Sequence, residues 1–408
     1  MESKDQTINL MHILMFEVNL TGHHPTYLEA ITQAHLKLGC IVTIAVSEKY
    51  KSASFLNRFS TQYKEFIHIV TLNEIECESA LKSRFGIVGR ELGLWRIFRK
   101  TFQDVSAKRP VDYVFLPYLD YCLNAIGLIG SPFGKVDWGG ICMRPAFHLN
   151  TCGAVGPHSK LSYIKKKLFF GLLSSPTLKH VFTIDELLAK YVADVRQNLS
   201  GKIRFLADPA EPQQFYDSLK IRQQIGIPER ALVILVYGAL DERKGLDVLL
   251  KALDISPINV HLLLVGVQSK FVQNLLASTI DANLMVQKRL HEINCYVDDV
   301  TEQKVFSACD IVWVGYRVHY TMSGVLVRAG MATKPVISSD VGLLGWYARQ
   351  HHLGIVVDLD RIDEVVTALG KLSIVEVRNN LGENGHRVFN NNTWPRFLDC
   401  ILTSLRRT

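Results

Sequence analysis

The sequence predicts an α/β protein built from two doubly wound domains, each on a parallel sheet. Three observations predict it. Short apolar runs alternate with helical patterns along the 408 residues. The alternation restarts after an aperiodic, proline-bearing segment at 202–215. The length suits two or three domains at about 150 residues each. Composition agrees: 48 % hydrophobic and 21 % charged residues suit a globular chain and exclude disordered, collagenous and coiled-coil classes.

Directly after Met11, HILMFEV reads as a buried strand. The loop NLTGHHP leads into the helical pattern TYLEAITQAHLKLG, ending at Gly39, and the apolar run CIVTIAV completes a βαβ unit. Strands are expected at FIHIVTL (66–72), YVFLP (113–117), GGICM (139–143) and HVFTI (180–184), with a basic amphipathic helix over 84–109. KIRFLADPAEPQQF carries Pro209 and Pro212 without helical period, so the domain link belongs there. The second series runs ALVILVYG (231–238), the helix DERKGLDVLLKAL, HLLLVG (261–266), INCYV (293–297), DIVWVGY (310–316), KPVISS (334–339) and GIVVD (354–358). A last helix, TWPRFLDCILTSL (393–405), lies beyond a polar NNN stretch. The expected division is 1–198, 199–389, and a C-terminal helical segment, 390–408.

Charge is mildly basic: 46 Lys and Arg against 39 Asp and Glu gives +7. This suits a nucleotide, an anionic membrane face or an acidic substrate and does not call for nucleic acid. Eight cysteines (40, 77, 122, 142, 152, 295, 309 and 400) form no CxxC pair. Most sit in apolar stretches, as small buried thiols do in a reducing compartment. MESKDQTINL has no apolar core for a signal peptide, and no uninterrupted run of about 18 apolar residues suggests a membrane span. Cytoplasmic residence is expected.

In open α/β sheets ligands bind beyond the carboxyl ends of the strands, so the loops after strands hold the candidates. Gly22-His23-His24 follows the first strand. Glycine permits close backbone approach, and the helix behind it offers free amides; the plain alternative is a turn before a helix. No GxGxxG is present, against a dinucleotide oxidoreductase. Asp241-Glu242-Arg243-Lys244-Gly245 follows VILVYG, where Arg243 and Lys244 could grip a diphosphate or merely be solvated. After DIVWVGY, Ser323 suits a helix N-cap, and Gly324 leaves room for a phosphate near bare amides, with Tyr316, Arg317, Val325 and Arg328 around it. Arg144-Pro145-Ala146-Phe147-His148 follows GGICM, and Asp120 follows YVFLP; Arg144 and His148 suit anion binding and polar substrate contact. Lys165-Lys166-Lys167 beside LFFGLL could rest on an anionic leaflet or face water.

These residues resemble the GT-B glycosyltransferases, and most the large retaining family 4. The resemblance is strongest over 231–358, in VYGALDERKGLDVLLKAL, ACDIVWVGY and SGVLVRAGMATKPVISSDVGLLGWYARQHHLGIVVD. It implies two Rossmann-like domains facing a cleft: 1–198 on the acceptor side, 199–389 holding the nucleotide sugar, with the C-terminal segment 390–408 packing back on the first domain. Gly238 matches the family glycine, with Ala239 where an arginine is usual. Lys244 and Gly245 match the lysine-glycine pair whose lysine holds the donor diphosphate. Of the family's two glutamates, the first falls on Tyr320 and the second on Arg328, and an arginine cannot accept a hydrogen bond. Ser323 aligns with the phosphate-loop glycine. Arg328 or Arg317 is expected to supply the charge Ala239 lacks. Gly22 resembles the glycine loop, and His148 a histidine near the transferred sugar.

The resemblance implies transfer of a sugar from a nucleotide-diphospho sugar to a hydroxyl of a glycan, glycolipid or small molecule, with retention and without metal or cofactor. Lys244 and His148 are the expected catalytic residues. Gly22, Gly238, Arg243, Tyr316, Arg317, Ser323, Gly324, Val325 and Arg328 join Lys244 on the donor. His23, His24, Asp120 and Arg144 face the acceptor. Asp358-Leu359-Asp360 has the DxD form of another glycosyltransferase architecture, but it ends a strand before a helix, where carboxylates favour the dipole. The basic region 84–109 and the lysine run suit an anionic or lipid-linked acceptor and a peripheral place on the inner membrane face; a small-molecule acceptor fits if those charges are only solvated. The alternatives are a catalytically degenerate GT-B protein that binds nucleotide or a protein partner, supported by the missing glutamates, and a nucleotide-sugar epimerase, which would need acid/base groups the sequence does not mark.

Overall fold

The computed structural model describes residues 10–22, 24–83, 86–279 and 289–406. His23 and Arg84 lie outside them. Among the described residues thirteen strands form two parallel sheets. The first has seven strands: β1 (His12–Glu17), β2 (Ile41–Ser47), β3 (Ile67–Leu72), β4 (Tyr113–Leu116), β5 (Asp137–Cys142), β6 (Leu178–Thr183) and β7 (Ile203–Phe205), in the order β3-β2-β1-β4-β5-β6-β7. The second has six: β8 (Leu232–Tyr237), β9 (Val260–Val265), β10 (Leu290–Ile293), β11 (Ile311–Val314), β12 (Val336–Ser339) and β13 (Gly354–Val357), ordered β10-β9-β8-β11-β12-β13. Each order reverses beside its first strand, β1 against β4 and β8 against β11. Those reversals open the crevices where ligands bind in such sheets.

The chain forms two compact units. The first runs to His148, resumes over His158–Leu206, and takes back the chain from Pro395. The second is Leu149–Pro157 with Ala207–Trp394. The first unit extends past 198 because β7 pairs with β6, Val181 opposite Ile203; the sequence alone predicts this stretch as part of the link, 202–215. Leu149–Pro157 belongs to the second unit, where Val155 bridges to Val341. The last helix, Trp394–Arg406, sets Phe397 edge-on against Tyr27 at 5.0 Å, and Arg204 donates to Ser404 Oγ at 2.7 Å. Each unit has its own core: Phe16, Phe98, Phe133 and Trp138 in the first, Leu249, Leu262, Trp313 and Val365 in the second.

Two expected elements differ. The strand at INCYV lies upstream, at Leu290–Ile293. Beyond it the Asn294 side chain accepts from the Gln268 amide and Cys295 N turns back onto Ile293, so the ladder ends and Tyr296 is exposed. The helix DERKGLDVLLKAL is two pieces, a 3-10 turn over Glu242–Lys244 and a helix over Leu246–Ile255. Gly245, at φ +60°, separates them, and a Cβ there would lie 2.4 Å from the Gly315 carbonyl oxygen. Among the described residues no helix is long and apolar enough to cross a membrane. None of the eight cysteines, all of them among the described residues, forms a disulfide.

Candidate functional site

In the second unit the segments after β8 and β11 carry the predicted donor residues other than Gly22, which lies in the first unit. Asp241 caps the 3-10 turn, its carboxylate accepting from the Arg243 amide at 3.0 Å. The turn and Gly245 send the Lys244 side chain inward, where it is 5 % exposed. Its Nζ donates to the Tyr237 carbonyl at 2.8 Å and to the Tyr316 hydroxyl at 2.7 Å, and lies 4.1 Å from the Tyr316 ring centre. The Trp313 indole donates to the Lys244 carbonyl at 2.6 Å, fixing the turn against the core. Gly238 adopts φ +98°, and a Cβ there would lie 3.7 Å from Lys244 Nζ.

The other cations of this region are paired. Arg243 Nη2 meets the Asp241 carboxylate at 3.0 Å and Arg317 Nη2 meets Asp247 at 2.8 Å. Arg328 Nε pairs with Glu302, and its Nη1 donates to the Glu211 carbonyl at 2.5 Å. The Tyr237 hydroxyl donates to the other Glu302 oxygen at 2.6 Å. Burial and the neighbouring Glu302 push the Tyr237 phenol up, so it stays a neutral donor. The charge expected from Arg328 or Arg317 is therefore already met by Glu302 and Asp247. Lys244 differs from all three in bonding a carbonyl and a phenol rather than a carboxylate.

The loop between Tyr316 and Ser323 is bent. Val318 sits at φ +50°, left-handed backbone that a β-branched residue rarely adopts. His319 packs edge-on to Tyr316 at 5.5 Å, and burial with the Arg243 charge lowers its pKa to about 4. Ser323 caps the helix Gly324–Met331, its hydroxyl accepting from Val325 N at 3.3 Å. A Cβ at Gly324 would meet nothing within 4 Å, so space lies over the first amides.

In the first unit a polar cluster lies at the exits of β1, β4 and β5. Glu17 ends β1 with no exposed surface. Its Oε1 accepts from Tyr121 Oη at 2.6 Å and Asn19 N at 3.0 Å, and its Oε2 lies 3.1 Å from His24 Nδ1. His24 opens the helix His24–Lys37 and packs on Tyr118 at 4.4 Å. Asp120 accepts from the amides of Met143 at 2.8 Å and Arg144 at 3.0 Å, tying the β4 exit to the β5 exit; burial raises its pKa while these bonds oppose the rise. The exposed Arg144 guanidinium lies 5.3 Å from the Tyr118 ring centre. Gly22 precedes the cluster at φ +63°. His24, Asp120 and Arg144 thus meet, joined by Glu17, Tyr118 and Tyr121. Glu17 had a sequence signal, a lone charge ending an apolar strand; the tyrosines had none.

His148 is elsewhere. It is fully buried, Nε2 2.9 Å from Asp185 Oδ2, with Phe147 and Tyr191 about its ring. Asp185 also caps the helix Glu186–Val195 by accepting from Leu188 N at 3.0 Å. Burial leaves His148 no surface for a substrate and gives it a packing position. Asp358 and Asp360 are bound into their own turn, Asp360 N donating to Asp358 Oδ1 at 2.9 Å. Among the described residues no three His, Cys, Asp or Glu side chains group to hold a metal.

Residues 217–388 match the family Glycosyl transferases group 1. No curated protein sequence matches the chain. Several solved structures share its fold. Sucrose-phosphate synthase from Thermosynechococcus elongatus superposes with a TM-score of 0.71 at 16 % identity, over 97 % of this chain and 98 % of that one. Anabaena Alr3699/HepE, in complex with UDP and glucose, gives 0.66 at 15 %, over 98 % and 100 %. An E. coli trehalose-6-phosphate structure bound with UDP-2-fluoro glucose gives 0.65 at 12 %, over 97 % and 99 %. The chain therefore has the GT-B glycosyltransferase fold, with a match to the group 1 glycosyl transferases over residues 217–388 of its second unit.

Proposed function

We propose that this protein transfers a glycosyl group from a nucleoside-diphosphate sugar to an acceptor hydroxyl. The observation that carries the reading is Lys244: a buried ammonium at the β8 exit, held by a carbonyl and a phenol, with no carboxylate among its hydrogen-bond partners in the described residues. A desolvated cation attracts an anion far more strongly than a solvated one. The donor diphosphate would lie on Lys244, the Tyr316 hydroxyl and the first amides of the helix Gly324–Met331, whose dipole adds positive potential. As the bond from the sugar C1 to the diphosphate oxygen breaks, these groups stabilise the charge on the leaving diphosphate. The acceptor oxygen bonds to C1, and its proton passes to a diphosphate oxygen. This front-face course retains configuration and needs no metal. The UDP and UDP-sugar complexes of the HepE and trehalose-6-phosphate structures support a nucleotide sugar as donor. The Glu17–His24–Tyr121 cluster with Arg144 is the acceptor side. An anionic or lipid-linked acceptor suits the basic surface, and the donor glycosyl group is a hexosyl.

A second reading, a nucleotide-binding protein without turnover, is favoured by one observation: Arg243, Arg317 and Arg328 are each neutralised by a carboxylate. Melting shifts with UDP, GDP, ADP, TDP and their sugar conjugates, with and without EDTA, separate the readings when paired with a donor-hydrolysis assay. A ligand at about 100 times its dissociation constant adds about 2.7 kcal/mol. The expected result is a selective shift insensitive to EDTA, lost in Lys244→Ala, with turnover down about 10²–10³-fold. A shift without any turnover supports the second reading. No shift with any nucleotide overturns both.

A further inference from the structure

No Asp or Glu lies between Asp137 and Asp185, a stretch holding Arg144, Lys160, Lys165, Lys166, Lys167 and Lys179. Four of these lysines gather at the start of the helix Ser162–Leu173 in the first unit. Phe169, Leu172 and Leu173 face the core, and the helix is locked to the helix Leu123–Ile129 by paired glycines: a Cβ at Gly127 would lie 2.0 Å from the Leu168 carbonyl oxygen. The opposite face is therefore held outward, and it is apolar as well as basic. Leu161, Tyr163 and Ile164 are 57 %, 63 % and 52 % exposed. Single exposed apolar residues are ordinary, but three within four positions among a run of lysines are not. Among the described residues none of the four lysines meets a carboxylate; Lys167 lies 4.6 Å from the Tyr163 ring centre and Lys166 5.1 Å from that of Tyr191. The first turn has no acid, although a helix N-terminus favours one.

We propose that this face docks on an anionic lipid bilayer. Leu161, Tyr163 and Ile164 enter the boundary between headgroups and acyl chains. Lys160, Lys165 and Lys167 reach headgroup phosphates on flexible stems, as lysines do at membrane surfaces. The choice of cation favours lipid over a protein partner: protein interfaces enrich arginine and deplete lysine, and here four lysines stand with Arg196 beside Phe170. The face belongs to the first unit and Lys244 to the second, and the inference does not depend on sugar transfer.

The test is co-sedimentation of the full chain, without nucleotide, with phosphatidylcholine vesicles and with vesicles containing phosphatidylglycerol at about 30 %. Binding is expected only to the anionic vesicles and to weaken with salt. Changing Lys165, Lys166 and Lys167 together to Glu should weaken it at least ~10²-fold, about fivefold per lysine. Ile164→Ser, a change at an exposed site, should weaken it with all lysines intact and with the melting temperature unchanged, so the test survives if the triple variant misfolds. Equal partition into both vesicle types, binding unaffected by Ile164→Ser, or retention on heparin with no vesicle binding overturns the proposal. A UDP melting shift in the same preparations reports separately on the donor site.

Discussion

Arg328 shows how one residue changes the meaning of a motif. In sequence it stands where the resembled family has a glutamate, and it looked like a replacement cation. Its guanidinium instead pairs with Glu302, whose second oxygen takes the Tyr237 hydroxyl, and both charged side chains are mostly buried. Returning to a family-like pair with Ala239→Arg and Arg328→Glu places a second carboxylate beside Glu302. Breaking a buried pair in this way costs about 3–5 kcal/mol, so the double variant should melt lower and gain no turnover. A gain in turnover in the donor assay would show that Glu302 and Arg328 do not act as a pair. Lys244 stood out in the sequence through its match, with Gly245, to the lysine-glycine pair of the resembled family, after a buried strand. Its phenolic partner Tyr316 lies 72 positions away, and that distance hid the contact.

At the scale of elements, Gly245 decides where the lysine points. The apolar periodicity of DERKGLDVLLKAL reads as one helix, because periodicity records which residues face the core and not the handedness of a single junction. The left-handed φ of Gly245 breaks the helix and turns Lys244 inward, while the Gly315 carbonyl leaves no room for a side chain. Gly245→Ala should cost about 1–3 kcal/mol from backbone strain alone, and more from the clash. It should also abolish the nucleotide melting shift, although it touches no ligand itself. A stable variant with an unchanged shift would show that this junction does not position Lys244. β7 escaped the sequence reading for a related reason: three residues beside two prolines carry too little pattern, and only pairing with β6 makes them a strand.

For the whole molecule, buried histidines set a pH dependence. His35, His261 and His319 are each pushed down to about 4, chiefly by burial, aided by His291 at His261 and by Arg243 at His319. In the unfolded chain they titrate near 6.5, so the unfolded state binds more protons between these values. Stability is therefore full above pH 6.5 and is lost as pH falls toward 4. Melting temperature should drop across that window, and His35→Gln should reduce the dependence by about one proton. An unchanged slope in His35→Gln would mean that His35 is charged in the folded state.

The sequence alone determined the two parallel α/β series, their strand-exit loops, and Lys244 and Ser323 as donor candidates. Those features rest on local periodicity and on chemistry a few residues apart. Tertiary structure decided the rest. It buried His148 against Asp185, joined Glu17 to His24 and Tyr121, and gave Arg243, Arg317 and Arg328 their carboxylates. Pairings of this kind depend on which strands lie side by side, and strand order is set by the packing of the whole sheet rather than by any segment of the chain.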